Sequence, residues 1–256
     1  MIELDKIYNE DCLEGMKRIP DGSVDAIICD LPYGTTKNGW DSVIPFDKLW
    51  EQYKRIIKKN GVIALFSQQP FTSALVMSNP QMFKYEWIWE KESATGFLNA
   101  NFAPMKIHEN ICIFSFGTAS YTKTNENRIV YNPQYTKGDP YVSKGDSTVV
   151  GGKNYGKFKN ITKINEGTRY PNDIIRFQSE HDGFHPTQKP VDLLRYLIRT
   201  YSNEGDTILD NCMGSGTTAV ACIREKRHFI GFELNKEYYD KACKRIAAEK
   251  AQLTLF

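Results

Sequence analysis

The part of the chain that most constrains its fold is residues 207–221, where a strand-like run leads through a glycine-containing turn into helix-favouring residues. The next strand-like run ends in the carboxylate of Glu233. Gly214 and Gly216 allow the backbone to approach a ligand closely, and an acid about 20 residues beyond such a turn is the expected partner of two ribose hydroxyls. These residues predict a nucleoside cofactor. They do not identify it, because Gly214, Gly216 and Ala219 also satisfy the dinucleotide-binding fingerprint.

Short strand-like runs alternate with segments of helical period along most of the chain. This alternation is typical of an α/β fold with a doubly wound, mostly parallel sheet, in which ligands bind beyond the carboxyl ends of the strands. Asn60 and Gly61 are expected to end the second helix. We predict strands at 6–8, 25–29, 62–66, 85–89 and 110–116, and helices at 12–19, 47–59, 191–201 and 235–250.

The tetrapeptide Asp30-Leu31-Pro32-Tyr33, directly after the apolar run 24–29, resembles the amine-binding motif of amino-methylating DNA methyltransferases. The resemblance implies that the Asp30 side chain and the Leu31 carbonyl accept the two hydrogens of an exocyclic amine, and that Tyr33 stacks on an extruded base. Pro32 favours an extended backbone at Leu31, which helps to aim that carbonyl. Leu31 departs from the commoner double-proline form of the motif, a change that a backbone role tolerates. The alternative is an ordinary turn between a strand and a loop.

The glycine-containing turn resembles the cofactor loop of S-adenosylmethionine-dependent DNA methyltransferases, and the stretch 185–190 resembles a further motif of that family. A nicotinamide-dependent oxidoreductase would have no evident need for the tetrapeptide at Asp30, so the two motifs together favour the methyltransferases. The resemblance implies S-adenosylmethionine as the cofactor. The contacts that it implies for this cofactor are Asp11, Thr187, Lys189, Asp210, Asn211, Cys212, Gly214, Ser215, Gly216, Thr217 and Glu233.

The amine-binding motif comes first in the chain and the cofactor loop comes last. This order is similar to the β class of adenine-N6 and cytosine-N4 methyltransferases, and the resemblance extends from Ile7 to about Ile246. It implies a circularly permuted methyltransferase fold, in which the segment 6–11 supplies the third strand beside those that precede the cofactor loop and end at Glu233. The resemblance places Asp11 near the adenine amine of the cofactor. The alternative for Asp11 is a cap on the following helix.

The resemblance implies a site-specific DNA methyltransferase that transfers a methyl group from S-adenosylmethionine to N6 of an adenine extruded from duplex DNA. In the family an acid at the first motif position, here Asp30, generally accompanies adenine, and a serine accompanies cytosine. Cytosine-N4 methylation and a catalytically silent DNA-binding relative remain alternatives. So do an RNA or protein-glutamine acceptor and a nicotinamide-dependent oxidoreductase.

The 256 residues, 41% hydrophobic and 25% charged, suit a single methyltransferase domain over 1–256. Within it, residues 117–176 lack long apolar stretches and interleave lysines and arginines with tyrosines. Since the net charge is only +2, a surface for DNA phosphates must be a local patch, and this inserted region is the candidate for target recognition. A solvated loop is the alternative. The loop 34–42 either closes over the extruded base, with Trp40 as its anchor, or is a surface turn.

Further expectations concern metals, membranes and partners. The six cysteines show no C-x-x-C spacing and the four histidines are scattered, so we expect buried thiols and no metal site. The first residues lack a signal-peptide pattern and no apolar run approaches membrane-spanning length, which favours the cytoplasm. The reaction that the resemblance implies suits a bacterium or a phage in a bacterial host. The resemblance implies double-stranded DNA as the substrate, with a homodimer and a cognate restriction endonuclease as candidate partners.

Overall fold

The computed structural model describes residues 2–34, 42–120, 127–143, 162–178 and 188–253. The chain forms two compact units, one built from Met1–Asn132 and Asp173–Phe256 and the other from Pro133–Asn172. Within the described ranges, none of the helices is long and apolar enough to cross a membrane.

The larger unit contains an eight-stranded sheet with helices on both faces, and the smaller unit contains two short strand pairs. The helices are α1 (Cys12–Met16), α2 (Phe46–Ile56), α3 (Phe71–Ser78), α4 (Val191–Tyr201), α5 (Thr217–Arg224) and α6 (Lys236–Leu253). The strands are β1 (Lys6–Tyr8), β2 (Val24–Asp30), β3 (Ile57–Ser67), β4 (Phe83–Thr95), β5 (Lys106–Phe114), β6 (Thr136–Lys137), β7 (Tyr141–Ser143), β8 (Lys163–Asn165), β9 (Thr168–Arg169), β10 (Ile174–Arg176), β11 (Thr207–Asp210) and β12 (His228–Phe232).

The order of strands across the large sheet is β1-β12-β11-β2-β3-β5-β4-β10. The first five strands in this order, β1, β12, β11, β2 and β3, run parallel to one another. Strand β5 is antiparallel to its neighbours β3 and β4, and β10 is parallel to β4. The N-terminal strand therefore lies beside β12, which lies beside β11, as predicted for the third, second and first strands of a permuted fold. The predicted α/β class with a doubly wound, mostly parallel sheet is confirmed.

Successive side chains of the central strands pack on opposite faces of the sheet, because the side chains of a strand alternate in direction. On β2, Ile28 belongs to the apolar cluster that includes residues of α4, α5 and α6, whereas Ile27 belongs to the cluster that includes residues of α1, α2 and α3. Trp87 and Trp89 on β4 join the first cluster at 3% and 2% exposure. Burial on both faces explains why β2 is a nearly continuous apolar run.

The boundary between α2 and β3 differs from the sequence prediction. The helix ends at Ile56 and β3 begins at the next residue, so Asn60 and Gly61 lie inside a strand and do not end a helix. They lie where the pairing with β2 is irregular, because the register shifts between the pairs Val24–Ile57 and Ala26–Val62, and residues 58–61 lie opposite Asp25. Gly61 suits this position because a Cβ there would come within 2.7 Å of the Asp25 carbonyl oxygen. The first helix is also shorter than predicted, and sequence analysis missed α3 and β10.

The smaller unit consists of two short antiparallel pairs, β6 with β9 and β7 with β8. Tyr135 and Tyr170 pack together with ring centroids 5.0 Å apart, and the Arg169 guanidinium lies over the ring of Tyr141. All three tyrosines keep much of their surface exposed. The unit falls within 117–176, for which a role in target recognition stays a prediction.

Candidate active site

Four acids lie at the carboxyl ends of neighbouring parallel strands. Asp30 ends β2, Asp210 ends β11, Glu233 directly follows β12, and Asp11 lies shortly after β1. All four line one cavity of about 500 Å³ in the larger unit. Because β2 pairs with β11, the amine-binding tetrapeptide and the glycine-containing loop meet at this cavity.

Two glycines give the loop 211–216 its shape. Gly214 has a φ of +53° and Gly216 a φ of +80°, values that glycine adopts without strain. Gly214 lines the cavity, and the nearest atom to a Cβ there would be the Cys212 carbonyl oxygen, 4.0 Å away. A Cβ on Gly216 would instead lie 3.1 Å from the Cβ of Ala242 on α6. The first glycine therefore keeps the loop open toward the cavity, and the second permits close packing of a helix.

Glu233 holds this loop from the end of β12. Its Oε2 accepts a hydrogen bond from the backbone N–H of Gly214 at 2.8 Å, and its Oε1 accepts one from Asn235 at 2.7 Å. Burial raises the pKa of Glu233, although the two N–H donors oppose the shift. A carboxylate has about four lone-pair sites, so both oxygens can still accept hydroxyl donors. The position is compatible with the predicted contact to two ribose hydroxyls.

Asp210 braces the beginning of the loop. Its Oδ1 accepts a hydrogen bond from the N–H of Cys212 at 3.0 Å, and its Oδ2 accepts one from the Thr218 hydroxyl at 2.6 Å. Burial raises the pKa of Asp210 to about 6, against the effect of these donors. Both carboxylate oxygens are therefore engaged in fixing the turn into α5.

The remaining loop residues combine packing with a place at the cavity. The Tyr53 hydroxyl on α2 donates to Asn211 Oδ1, and Asn211 Nδ2 donates to the thiol of Cys12 on α1 at 3.6 Å. Ser215 and Thr217 share a hydrogen bond of 3.1 Å between their hydroxyls. Through Asn211 the loop is thus anchored to α1 and α2, which pack on the same face of the sheet. The cavity is lined by Asn211, Cys212, Gly214, Ser215 and Thr217 from this stretch.

Asp11 caps α1. Its Oδ1 accepts hydrogen bonds from the N–H groups of Leu13 at 2.8 Å and Glu14 at 3.3 Å, which bears out the capping alternative. Asp11 also lines the cavity, so capping does not exclude the predicted contact with the cofactor.

Two of the predictions fall on residues outside the described ranges. Thr187 lies outside the described residues, as do residues 35–41 of the predicted closing loop, Trp40 among them. Among the described residues, no group of three or more His, Cys, Asp or Glu side chains could hold a metal ion. The six cysteines are all free, and four of them are buried.

The tetrapeptide forms another wall of the cavity. The Tyr33 hydroxyl donates to Oδ1 of Asp30 at 2.7 Å, and the Tyr33 ring packs against Phe71 with centroids 5.1 Å apart. Burial, and then the charge of Asp30, raise the pKa of Tyr33 well above its usual value, so the hydroxyl remains a donor. Leu31 buries its side chain in the core at 4% exposure, and Pro32 lines the cavity.

Lys189 reaches Asp30 from the segment before α4. Its Nζ donates to Oδ2 of Asp30 at 2.6 Å and lies 3.2 Å from Oε2 of Glu109 on β5. Lys91 on β4 donates to Oε1 of Glu109. Sequence analysis gave no role to Glu109 or Lys91. The signal available for Glu109 was a charged residue just before the apolar run 111–114, where burial is expected.

The fold is that of the S-adenosylmethionine-dependent methyltransferases. The solved M1.HpyAVI–SAM complex has a TM-score of 0.61 and 24% identity, covering 94% of this chain and 98% of that chain. The cytosine-N4-specific PvuII DNA methyltransferase has a TM-score of 0.64 and 16% identity, covering 96% of this chain and 91% of that chain. These likenesses establish the fold class.

The family follows from the sequence comparisons. The profile of the DNA methylase family, which groups N6 and N4 methyltransferases, matches residues 24–244, and the chain belongs to this family. It is 28% identical to the Type II methyltransferase M1.MboII of Moraxella bovis, over 94% of this chain and 96% of the relative. It is 27% identical to the DNA adenine methyltransferase YhdJ of Escherichia coli, over 95% of this chain and 83% of the relative.

Proposed function

We propose that the protein is a site-specific DNA methyltransferase that transfers a methyl group from S-adenosylmethionine to N6 of an adenine extruded from duplex DNA. The observation that carries this proposal is the single cavity shared by Asp30 and by the glycine-containing loop with Glu233. Membership of the DNA methylase family supports DNA as the substrate. The relatives named as a type II and an adenine methyltransferase support site-specific modification of adenine.

The residues around the cavity fit a nucleoside cofactor. Gly214 leaves space beside the loop, Glu233 can accept two ribose hydroxyls, and Asp11 can accept a hydrogen bond from an adenine amine. S-adenosylmethionine, when bound, supplies an electrophilic methyl group on its sulfonium centre. We assign the same loop, from Asp210 to Thr217, to holding this cofactor beside the tetrapeptide.

The tetrapeptide prepares the target amine as a nucleophile. The carboxylate of Asp30 and the carbonyl of Leu31 accept its two hydrogens, which makes the nitrogen lone pair available. Tyr33 holds the extruded base by stacking. Catalysis rests on positioning and on hydrogen bonds that strengthen as positive charge develops on the amine. Asp30 need not be a strong base, since the attacked nitrogen becomes acidic only after methyl transfer.

We assign target recognition to the inserted region 117–176. Its exposed tyrosines can contact bases, and its lysines and arginines can contact phosphates. A homodimer in solution and a cognate restriction endonuclease acting on the same site are further parts of this proposal. Sequencing of the methylated DNA would give the site, and light scattering would give the oligomeric state.

The test is methyl transfer from labelled S-adenosylmethionine to unmethylated genomic DNA, followed by digestion to nucleosides and mass analysis of the modified base. We expect N6-methyladenine with the wild-type protein and none with Asp30→Ala. N4-methylcytosine would move the assignment to the cytosine alternative. Unlabelled DNA, in a preparation that binds the cofactor in a titration, would refute the DNA substrate.

A further inference from the structure

Lys189 is a buried lysine held between two carboxylates. It is 8% exposed, and its Nζ lies 2.6 Å from Oδ2 of Asp30 and 3.2 Å from Oε2 of Glu109. Lys91 donates to the other oxygen of Glu109. Charges of alternating sign therefore follow one another from Lys91 on β4, through Glu109 on β5 and Lys189, to Asp30 on β2.

The ammonium stays charged although burial opposes the charge. Burial lowers the pKa of a lysine, but Asp30 and then Glu109 outweigh it here and raise the pKa of Lys189. Burial likewise raises the pKa of Glu109, but the charges of Lys189 and Lys91 outweigh it and hold the pKa below its usual value. Loss of one member would leave a buried charge uncompensated, so the cluster favours one definite geometry.

The two oxygens of Asp30 have different surroundings. Oδ2 faces the Lys189 ammonium, whereas Oδ1 accepts a hydrogen bond from the Tyr33 hydroxyl in the same tetrapeptide. Rotation of the carboxylate would break a short, charged hydrogen bond, which is about twice as strong as a neutral one. Oδ1 is therefore kept on the side of Tyr33, the residue assigned above to stack on the extruded base.

We propose that Lys189 is a positioning residue for methyl transfer, which holds Oδ2 of Asp30 so that Oδ1 is presented to the target amine. This inference rests on the proposed function of Asp30. Glu109 and Lys91 hold Lys189 in place, and Glu109 offsets its charge. The ammonium can then orient Asp30 without an unbalanced positive charge near an amine that itself becomes positive.

The test compares Lys189→Met and Lys189→Arg with the control Lys58→Met. Lys58 lies 2.5 Å from Asp25 on β2, so the control removes a lysine–aspartate pair that does not line the cavity. We measure kcat at saturating cofactor and the cofactor Kd by calorimetry without DNA. Lys189→Met should lower kcat about 100-fold with Kd changed less than about threefold, and Lys189→Arg should recover part of kcat. Lys58→Met should stay within about twofold of wild type.

The pH profile of kcat separates positioning from a merely structural role. Without the ammonium, Glu109 loses the larger of the two positive charges that hold its pKa below the usual value, so the acid limb in Lys189→Met should move to higher pH. An unmoved acid limb, together with a Lys189→Arg variant as inactive as Lys189→Met, would overturn the proposal. The titratable and charged groups that face Asp30 are Cys29, Tyr33, Lys189 and Asp210, with Glu109 behind Lys189.

Glu109→Gln is the second variant, and it decides the matter if Lys189→Met does not fold. It leaves the contact between Lys189 and Asp30 in place but removes the support behind it, so kcat should fall about 10-fold at unchanged cofactor Kd. An unchanged kcat in a folded Glu109→Gln protein would count against the proposal. A loss of cofactor affinity at unchanged kcat, in either variant, would assign Lys189 to the cofactor. Failure of the proposed function appears separately, as wild-type protein that methylates no adenine.

Discussion

Asp210 and Asp30 end adjacent parallel strands, yet the protein holds their carboxylates in different ways. Asp210 is 4% exposed and accepts hydrogen bonds from two neutral donors within eight residues of it, the Cys212 N–H and the Thr218 hydroxyl. Asp30 keeps 30% of its side chain exposed and pairs with the ammonium of Lys189, 159 residues further along the chain.

The difference shows how one sheet edge provides two kinds of acid. Neutral donors do not offset the burial of Asp210, so its pKa rises to about 6 and the group serves to shape a loop. Asp30 instead meets a full positive charge and opens onto the cavity. Substitutions in the tetrapeptide should therefore lower turnover, whereas substitutions in the glycine-containing loop and at Glu233 should change stability or cofactor affinity.

The largest effect is expected from Asp30→Ala, which removes an acceptor for the target amine. Turnover should fall by at least about 1000-fold, because a hydrogen bond that strengthens in the transition state is lost. The cofactor Kd should change by less than about threefold, since Glu233 and the glycine-containing loop are untouched. Methyl-transfer assays and calorimetric titration measure the two quantities, with Asp47→Ala, an exposed acid of α2, as the control. A loss of cofactor affinity as large as the loss of turnover would contradict the assignment of Asp30 to the target amine and of Glu233 and the glycine-containing loop to the cofactor.

Asp210 should control part of the pH dependence of stability. Burial raises its pKa in the folded protein from the ordinary 3.8 to about 6, so the folded state binds this proton more tightly than the unfolded state does. The stability contributed by the group is present below pH 3.8 and is lost as the pH rises through about 6, by about 3 kcal/mol. Asp210→Asn keeps an acceptor for the Cys212 N–H and removes this loss.

Denaturant unfolding of wild type and Asp210→Asn at a series of pH values checks this prediction. The free energy of unfolding of the variant, relative to wild type, should increase by about 2 kcal/mol between pH 4 and pH 7. A difference that does not vary with pH would show that Asp210 does not titrate as described.

Glu233→Gln should weaken cofactor binding by about 10- to 100-fold, because a charged acceptor for the ribose hydroxyls is lost. At saturating cofactor kcat should change little, since Asp30 and its partners are intact. The matched control is Glu237→Gln, an exposed acid of α6 paired with Lys241, and it should leave the cofactor Kd unchanged. A lower kcat with normal cofactor affinity would mean that Glu233 acts in methyl transfer and not in cofactor binding.

The smallest effects are expected at Tyr33. Tyr33→Phe keeps the ring and loses only the hydrogen bond to Asp30, so kcat should fall about threefold. Tyr33→Ala also loses stacking and should weaken binding of the extruded base by about 10-fold. Fluorescence of 2-aminopurine at the target position measures base extrusion directly. Equal damage from the two substitutions would mean that stacking is not the main role of Tyr33.

The motifs whose chemistry is local could be predicted from neighbouring residues. Gly214, Gly216 and Glu233 lie within one unit of strand, loop, helix and strand, β11 to β12, and both glycines have positive φ values in its loop. The end of α2 at Ile56 could not be predicted from Asn60 and Gly61, because these two residues lie at an irregularity inside β3, where the register with β2 shifts.

The α/β class and the two motifs could be predicted from the sequence by itself, because hydrophobic period and turn chemistry are properties of short segments. The permuted strand order was implied by the resemblance of the two motifs, in this order, to the β class. Only the tertiary structure decided the partners of Asp30. Lys189 is 159 residues from Asp30 in the chain, and Glu109 approaches from the antiparallel strand β5. Their ion pairs depend on the order of strands across the sheet and on burial, which strengthens charge interactions only where the fold excludes water.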